Sequence, residues 1–299
     1  MFKGLGEKQI DLETVGLKKL QMHWDYSVSS KHKLLDLNLR ELIHYRDLII
    51  MFFIRDFTTT YKQTVLGPLW HIVSPLFSTM VYAFAFGNIA NIGTDGIPML
   101  LFYFGGNMLW GFFSTCLNSA SNIFLSNSSV FSKVYFPRLS VPIATTFSAI
   151  SKMIIQFASL MVFLIYFIVT GNPVRPTAYA FLFPFLILWL GALGTGIGMI
   201  VSALTTRYRD LNHVVGLTLS LAMYATPVVY PLSQVPEKLR FFFYINPVSA
   251  PMEMFRIWFY GAGEVPLSMT FSSLIVTVLV MFFGLILFTH TERTSMDVV

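Results

Sequence analysis

Apolar residues fill this chain in long blocks, and short polar stretches set the blocks apart. The blocks run from about Leu69 to Ala90, Ile97 to Leu117, Met153 to Val169, Ala178 to Leu204, Val214 to Tyr230 and Ser268 to Thr289. Roughly 20 apolar residues in an α-helix cross the hydrocarbon core of a bilayer. The pattern therefore predicts six transmembrane helices, at about 69–90, 97–117, 142–170, 178–204, 213–230 and 268–289. Turn formers interrupt it where a helix should stop, at Gly93 to Gly96 and at Gly171-Asn172-Pro173.

Two segments break the pattern without being plain loops. Ahead of the first block, Leu35, Leu39, Leu42, Ile49 and Phe53 recur at three- and four-residue steps or their multiples. Arg40, His44 and Asp47 fall on another side. This predicts an amphipathic helix over 34–57, too charged to span and too apolar for water, lying in the membrane interface. Ahead of the last block, residues 231–262 mix Phe241, Phe242, Phe243, Met252, Phe255, Trp258 and Phe259 with Glu237, Lys238, Arg240, Glu253 and Arg256. One charge at a helix centre costs about 2.5–3.5 kcal/mol. Pro231, Pro236, Pro247 and Pro251 interrupt any single long helix. Two short helices fit better, about 236–244 and 247–260, with Asn246 as N-cap and Pro247 at the first helical position. They are expected to form a re-entrant hairpin dipping in from the outer face, where irregular backbone is tolerated only against protein or a water-filled cavity. The alternative is a plain external loop.

Composition makes the membrane reading firm. The chain is 55% hydrophobic and 12% charged, with mean hydropathy +0.66. A soluble domain carries about 25% charged residues, so the apolar excess must face lipid. The expected fold class is an all-α integral membrane protein: six spans, an N-terminal interface helix and a hairpin before the last span. The net charge of +5 is spread through segments flanking apolar runs, which reads as topology and excludes a nucleic-acid-binding face. With the N-terminus inside, sixteen Lys and Arg fall on the inner side; Arg175, Lys238, Arg240 and Arg256 fall outside. That asymmetry places both termini in the cytoplasm. Residues 1–33 are polar and mixed in charge, a cytoplasmic tail with no apolar core of signal-peptide length.

The candidate chemistry is sparse. No P-loop pattern exists, so any ATP-driven action needs a second polypeptide. Cys116 is the only cysteine, and His71, His213 and His290 stand apart near helix ends; no metal site and no cofactor are expected. Gly191, Gly194, Gly196 and Gly198 lie inside an apolar block, where small residues let helix backbones approach. Glu253 and Arg256 are three apart and can pair on one helical face, either as a functional ion pair or merely to neutralise the hairpin. Trp70, Tyr82, Phe86, Trp110, Tyr224 and Tyr230 are candidates to line a channel formed by the spans, with spans one and five foremost. The C–H faces of sugars stack on such rings while hydroxyls stay hydrated. Thr218, Ser220 and Thr226 make span five unusually polar, which suits a cavity.

Four stretches taken together resemble the permeases of type-2 ABC transporters, most closely the transmembrane subunit of O-antigen polysaccharide exporters. They are Arg55-Asp56 through Tyr61-Lys62 to Leu66-Gly67-Pro68-Leu69-Trp70 with Pro75; Phe131 to Arg138; Arg207-Tyr208-Arg209-Asp210-Leu211; and Pro236-Glu237 through Asn246-Pro247 to Arg256. The resemblance covers about residues 34–299, and teichoic acid exporters are near relatives.

This resemblance implies a non-catalytic permease of the bacterial inner membrane. It would act as a homodimer paired with two ATP-binding cassette subunits that hold ATP-Mg. The substrate would be a polysaccharide on an undecaprenyl pyrophosphate anchor. By resemblance and position, Ser132, Lys133, Tyr135, Phe136, Pro137 and Arg138, with the interface helix, would touch the ATPase. Arg55 and Lys62 would attract the anionic lipid anchor at the inner mouth. The hairpin, with Glu237, Asn246, Pro247, Glu253 and Arg256, would cap the outer exit. A membrane enzyme acting on lipid-linked sugars is the competing class. It would need a clustered acid/base pair, and Asp56, Asp210 and Glu253 are scattered.

Overall fold

The computed structural model describes residues 39–62, 64–131, 136–206, 208 and 210–294. Among these residues the chain is helical throughout, with no strand. The tail 1–33 and the first residues of the expected interface helix lie outside the described residues.

The interface helix comes in two pieces, α1 (Leu39–His44) and α2 (Arg46–Tyr61), and reaches one turn past the expected end at 57. Phe52 is buried where α2 meets α7. Ile50, Met51 and Ile54 are exposed on other sides of α2. The helix is thus apolar on more than the single stripe read from the sequence: one face packs on protein, and apolar residues stand exposed on others.

A 3₁₀ turn at Gly67–Leu69 leads into α3 (Trp70–Tyr82), which carries Pro75. The span continues as a π-helical segment, Ala83–Ile89. Wide helical turns of this kind inside a span are rare and concentrate at functional sites. Next come α4 (Met99–Ser121), the short turns α5 (Ile123–Ser126) and α6 (Ser128–Phe131), and α7 (Ser140–Val169). A 3₁₀ turn, Ala178–Leu182, opens onto α8 (Phe183–Thr205). The chain then forms α9 (Leu211–Tyr224), α10 (Glu237–Ile245), α11 (Ser249–Tyr260) and α12 (Leu267–Thr294).

Among the described residues, five helical stretches are long and apolar enough to cross a membrane: Gly67–Ile89, Met99–Ser121, Ser140–Val169, Ala178–Thr205 and Leu267–Glu292. These match the first, second, third, fourth and sixth expected spans. The fifth is shorter than expected. α9 ends at Tyr224, not near Tyr230, and its 14 residues reach only about 21 Å. Pro227 explains the early stop: it has no N–H to return to the Met223 carbonyl, and its ring disfavours helical backbone at Thr226.

α4 is the buried axis of the molecule, with Leu101 to Phe104, Met108, Leu109, Phe112 and Phe113 almost fully enclosed. α8 packs on α4 along one glycine row and on α12 along another. A Cβ at Gly194 would lie 2.7 Å from the Phe113 carbonyl oxygen, and one at Gly198 would lie 2.6 Å from that of Leu117. On the second row, a Cβ at Gly284 would lie 2.6 Å from the Gly196 carbonyl oxygen. The glycines of α8 therefore serve backbone approach, the main source of helix association in lipid.

Candidate functional site

Three of the predicted channel aromatics meet where the π-helical end of the first span faces the end of α9. The Tyr82 and Phe86 rings lie 6.2 Å apart, and Phe86 lies 6.5 Å from Tyr224. The Tyr82 hydroxyl reaches the Met223 sulfur at 3.7 Å. Tyr230 joins from below the break: its hydroxyl donates to the Tyr224 carbonyl at 2.5 Å, and its ring contacts Phe243 of α10 at 5.9 Å. That bond satisfies one of the carbonyls orphaned at the helix end. Trp110 does not join them. It is buried in the core against Phe113, 5.3 Å away. Trp70 sits half-exposed at the start of α3, about 18 Å of helix away from Tyr82.

The broken stretch after α9 is held by a buried ion pair. Arg256 and Glu253 pair at 2.5 Å, with side chains 3% and 1% exposed. Arg256 Nη2 also donates to the carbonyls of Pro227, at 2.6 Å, and Val228, at 3.2 Å, and Nη1 reaches that of Tyr230. Glu253 accepts the Leu232 N–H at 3.3 Å. The guanidinium stands 4.0 Å over the Phe102 ring. Backbone polar groups that leave a helix inside a low-dielectric medium need partners, and this pair supplies them along the stretch that follows the break. Asn246 adds a third tie, donating from Nδ2 to the Ala225 carbonyl and to Thr226 Oγ1.

The two short helices predicted between Pro231 and Ala262 are both present, with a shifted boundary. α11 begins at Ser249, not Pro247, and Asn246 acts through a turn in which its Oδ1 accepts the Val248 N–H at 3.0 Å. The Pro247 carbonyl accepts from Ser273 Oγ of α12. α11 is buried along nearly its whole length, whereas α10 has no buried residue and leaves Phe241 and Phe242 exposed. Glu237 stands exposed in the first turn of α10. Tyr260, which the sequence reading did not single out, anchors α11 to α4 by donating to the Leu101 carbonyl at 2.8 Å.

The opposite, basic end carries an aromatic cluster that joins four elements. Phe52 of α2 lies 5.6 Å from Phe136, which lies 5.6 Å from Phe131. Phe131 continues to Phe124, which stacks on Phe288 of α12 at 4.7 Å. Arg138 sits 5.0 Å over the Phe131 ring and is tied to Glu292, its N–H to Oε1 at 3.3 Å and its Nη1 to the Glu292 carbonyl at 3.2 Å. The Pro137 carbonyl accepts the Ser140 N–H where α7 begins. Ser132, Lys133 and Tyr135 lie outside the described residues. Phe52, Phe124, Phe288 and Glu292 escaped the sequence reading because an aromatic or single acid at the end of an apolar run carries no periodic signal.

Arg55 and Lys62 occupy α2 and its end, and Lys62 is exposed. Arg55 is engaged locally: Nε and Nη2 both donate to Asp56 Oδ1, at 3.0 and 2.8 Å. It also stands 4.8 Å over the Phe52 ring. Its charge is therefore largely balanced by its neighbour.

Comparison with known proteins follows the same ground. The chain is 28% identical over 224 residues to an O-antigen export system permease protein, RfbA, of Myxococcus xanthus, a match covering 74% of this chain and 84% of that protein. Two O-antigen export system permease proteins RfbA of Klebsiella pneumoniae are 24% identical over 210 residues and 26% over 211, each match covering 70% of this chain and 79% of the relative. The profile of the ABC-2 type transporter family matches residues 47–260. That stretch runs from α2 through α11, includes the aromatic row and the buried ion pair, and spans well over half of the chain, which belongs to the ABC-2 type transporter family.

Proposed function

We infer that the chain is the permease subunit of an ATP-driven exporter that moves a lipid-linked polysaccharide, an O-antigen, outward across the bacterial inner membrane. Its relatives are O-antigen export permeases by name. The observation that carries the reading is the row Tyr82, Phe86 and Tyr224 beside an unwound span end. Aromatic faces there offer stacking surface to sugar rings without binding any one of them tightly, which suits a polymer in passage.

The working unit is a homodimer with two ATP-binding subunits. The first span and α9 expose Phe77, Val81, Phe84, Leu217 and Leu221, an apolar surface that a second copy would cover across a two-fold axis. The basic end, with both termini, faces the cytoplasm by the positive-inside rule. The interface helix and the loop through Phe136 to Arg138 receive the ATPase, and α12 shares their aromatic cluster. α9 serves as a sixth, shortened span, and α10 and α11 form a re-entrant pair at the outer exit. Arg55 and Lys62 stand at the inner mouth for the anionic lipid anchor.

The test is deletion of the chain in its host together with pull-down of the full-length protein from solubilised membranes. Loss of surface O-antigen and co-purification of a P-loop ATPase are expected. Unchanged surface polymer after deletion, or purification without an ATPase, overturns the reading.

A further inference from the structure

α7 carries one continuous stripe at alternating three- and four-residue steps: Thr145, Ser148, Lys152, Ile155, Ser159 and Val162. Two cavities open along this stripe. The lower one, of about 230 Å³, is polar and is lined by Lys152, Ser148, Thr115 of α4, and Asp56, Thr59 and Thr60 of α2, among others. The upper one, of about 500 Å³, is apolar and lies between α7 and Ile72 of α3, along Ile155, Val162 and Phe163. The apolar run of α7 starts at Met153, one residue after Lys152. Its 17 residues rise about 26 Å, close to the thickness of a bilayer's hydrocarbon core. Lys152 therefore stands at the depth of lipid headgroups, and the upper cavity stands at the depth of their chains.

The polar cavity is short of acceptors for its donors. Thr59, Thr60, Thr115 and Thr145 each donate to a carbonyl of their own helix. Ser148 Oγ is buried without a hydrogen-bond partner. The Lys152 ammonium makes no hydrogen bond or ion pair among the described residues, and the acid that shares its cavity, Asp56, is engaged by Arg55 at 2.8 Å. Arg55, Asp56 and Lys152 together leave one net positive charge. A half-buried ammonium and a buried hydroxyl with one uncompensated charge match one monoanionic acceptor group.

We propose that this seam is a binding site for one anionic glycerophospholipid, its phosphodiester on Lys152 and Ser148 and an acyl chain in the cleft between α3 and α7. The single charge selects a phosphodiester over a pyrophosphate. Ile72 is the one residue of α3 that lines this cleft, so an acyl chain would supply packing between α3 and α7 that the protein itself omits there. The site is independent of what the protein transports.

The test uses the purified full-length chain in detergent, titrated with phosphatidylglycerol and read by native mass spectrometry. One retained phosphatidylglycerol per chain is expected for the unaltered protein. Lys152→Met should lower its retention about tenfold, the worth of one charge-assisted hydrogen bond, and Lys152→Arg should keep it. Ile155→Trp, which fills the chain cleft and leaves the polar cavity intact, should lower it similarly, and serves as the readout if Lys152→Met does not fold. Retention at the unaltered level in Lys152→Met or Ile155→Trp overturns the proposal. So does preferential occupancy by an added polyprenyl pyrophosphate that excess phosphatidylglycerol does not displace.

Discussion

Arg256 donates from Nη2 to the Pro227 carbonyl at 2.6 Å, across 29 residues of sequence. The bond ties the middle of a buried helix to the point where α9 unwinds. Without the Arg256 guanidinium, the carbonyls of Pro227, Val228 and Tyr230 would lose the donor that reaches them.

Replacing Arg256 with Met should therefore destabilise the fold strongly. Removing one partner of a buried ion pair costs about 3–5 kcal/mol, because the other charge stays buried and unpaired. Glu253→Gln combined with Arg256→Met should recover part of this loss, since it removes the stranded carboxylate. Thermal unfolding of the purified variants measures both. A single Arg256→Met variant that melts with the unaltered protein contradicts the clamp.

The glycine row of α8 makes a second stability claim. Gly194→Leu puts a side chain where the Phe113 carbonyl stands. α4 has little room to retreat, because it is buried on most faces. Overpacking costs about 1–3 kcal/mol or more, so reduced yield and a lowered melting temperature are expected. Gly216→Leu is the control, because a Cβ there meets nothing within 4 Å. Equal behaviour of the two variants would refute close α4–α8 packing.

These elements differ in how well the sequence announced them. The long spans were legible because lipid demands unbroken apolar runs, and the Gly191 to Gly198 series was legible because small residues inside such a run have one main use. Glu253 and Arg256 were visible as a pair. Their partners, the carbonyls of Pro227 and Val228, were not, because backbone groups leave no mark in sequence. Pro227 marked the break in α9, but the apolar residues Val228 and Val229 that follow it read as continued span. Trp110 looked like a channel residue by type alone; its neighbours Phe112 and Phe113 put it on a helix buried on most faces.

The aromatic row bears on transport. Tyr82→Ala and Tyr224→Ala each remove a ring from the row without emptying the core, since Tyr224 is half-exposed and Tyr82 only partly buried. Each variant should express and melt like the unaltered protein while surface polysaccharide falls several-fold. Trp110→Ala should behave oppositely, losing stability by about 3–5 kcal/mol as a core truncation. Immunoblots of surface polymer alongside thermal melting separate the two outcomes. Unchanged surface polymer in both tyrosine variants removes the row from the substrate path.

The tie between Arg138 and Glu292 concerns how force would pass between the Phe131–Arg138 loop and the last span. Arg138 grips the C-terminal turn of α12 through a backbone carbonyl and a carboxylate, and its guanidinium rests on Phe131. The bond to the Glu292 carbonyl does not depend on that residue's side chain. Arg138→Ala therefore loses both the carbonyl bond and the ring contact. If the loop receives the ATPase, Arg138→Ala should leave the complex assembled and its ATP hydrolysis measurable, yet reduce export per ATP consumed. Arg138→Lys should restore little, because an ammonium cannot reproduce the planar fork over an aromatic ring. Export and ATPase activity measured together in reconstituted vesicles decide the matter. Proportional loss of both in Arg138→Ala points to failed assembly and counts against a transmitting role, while full export in that variant rules the role out.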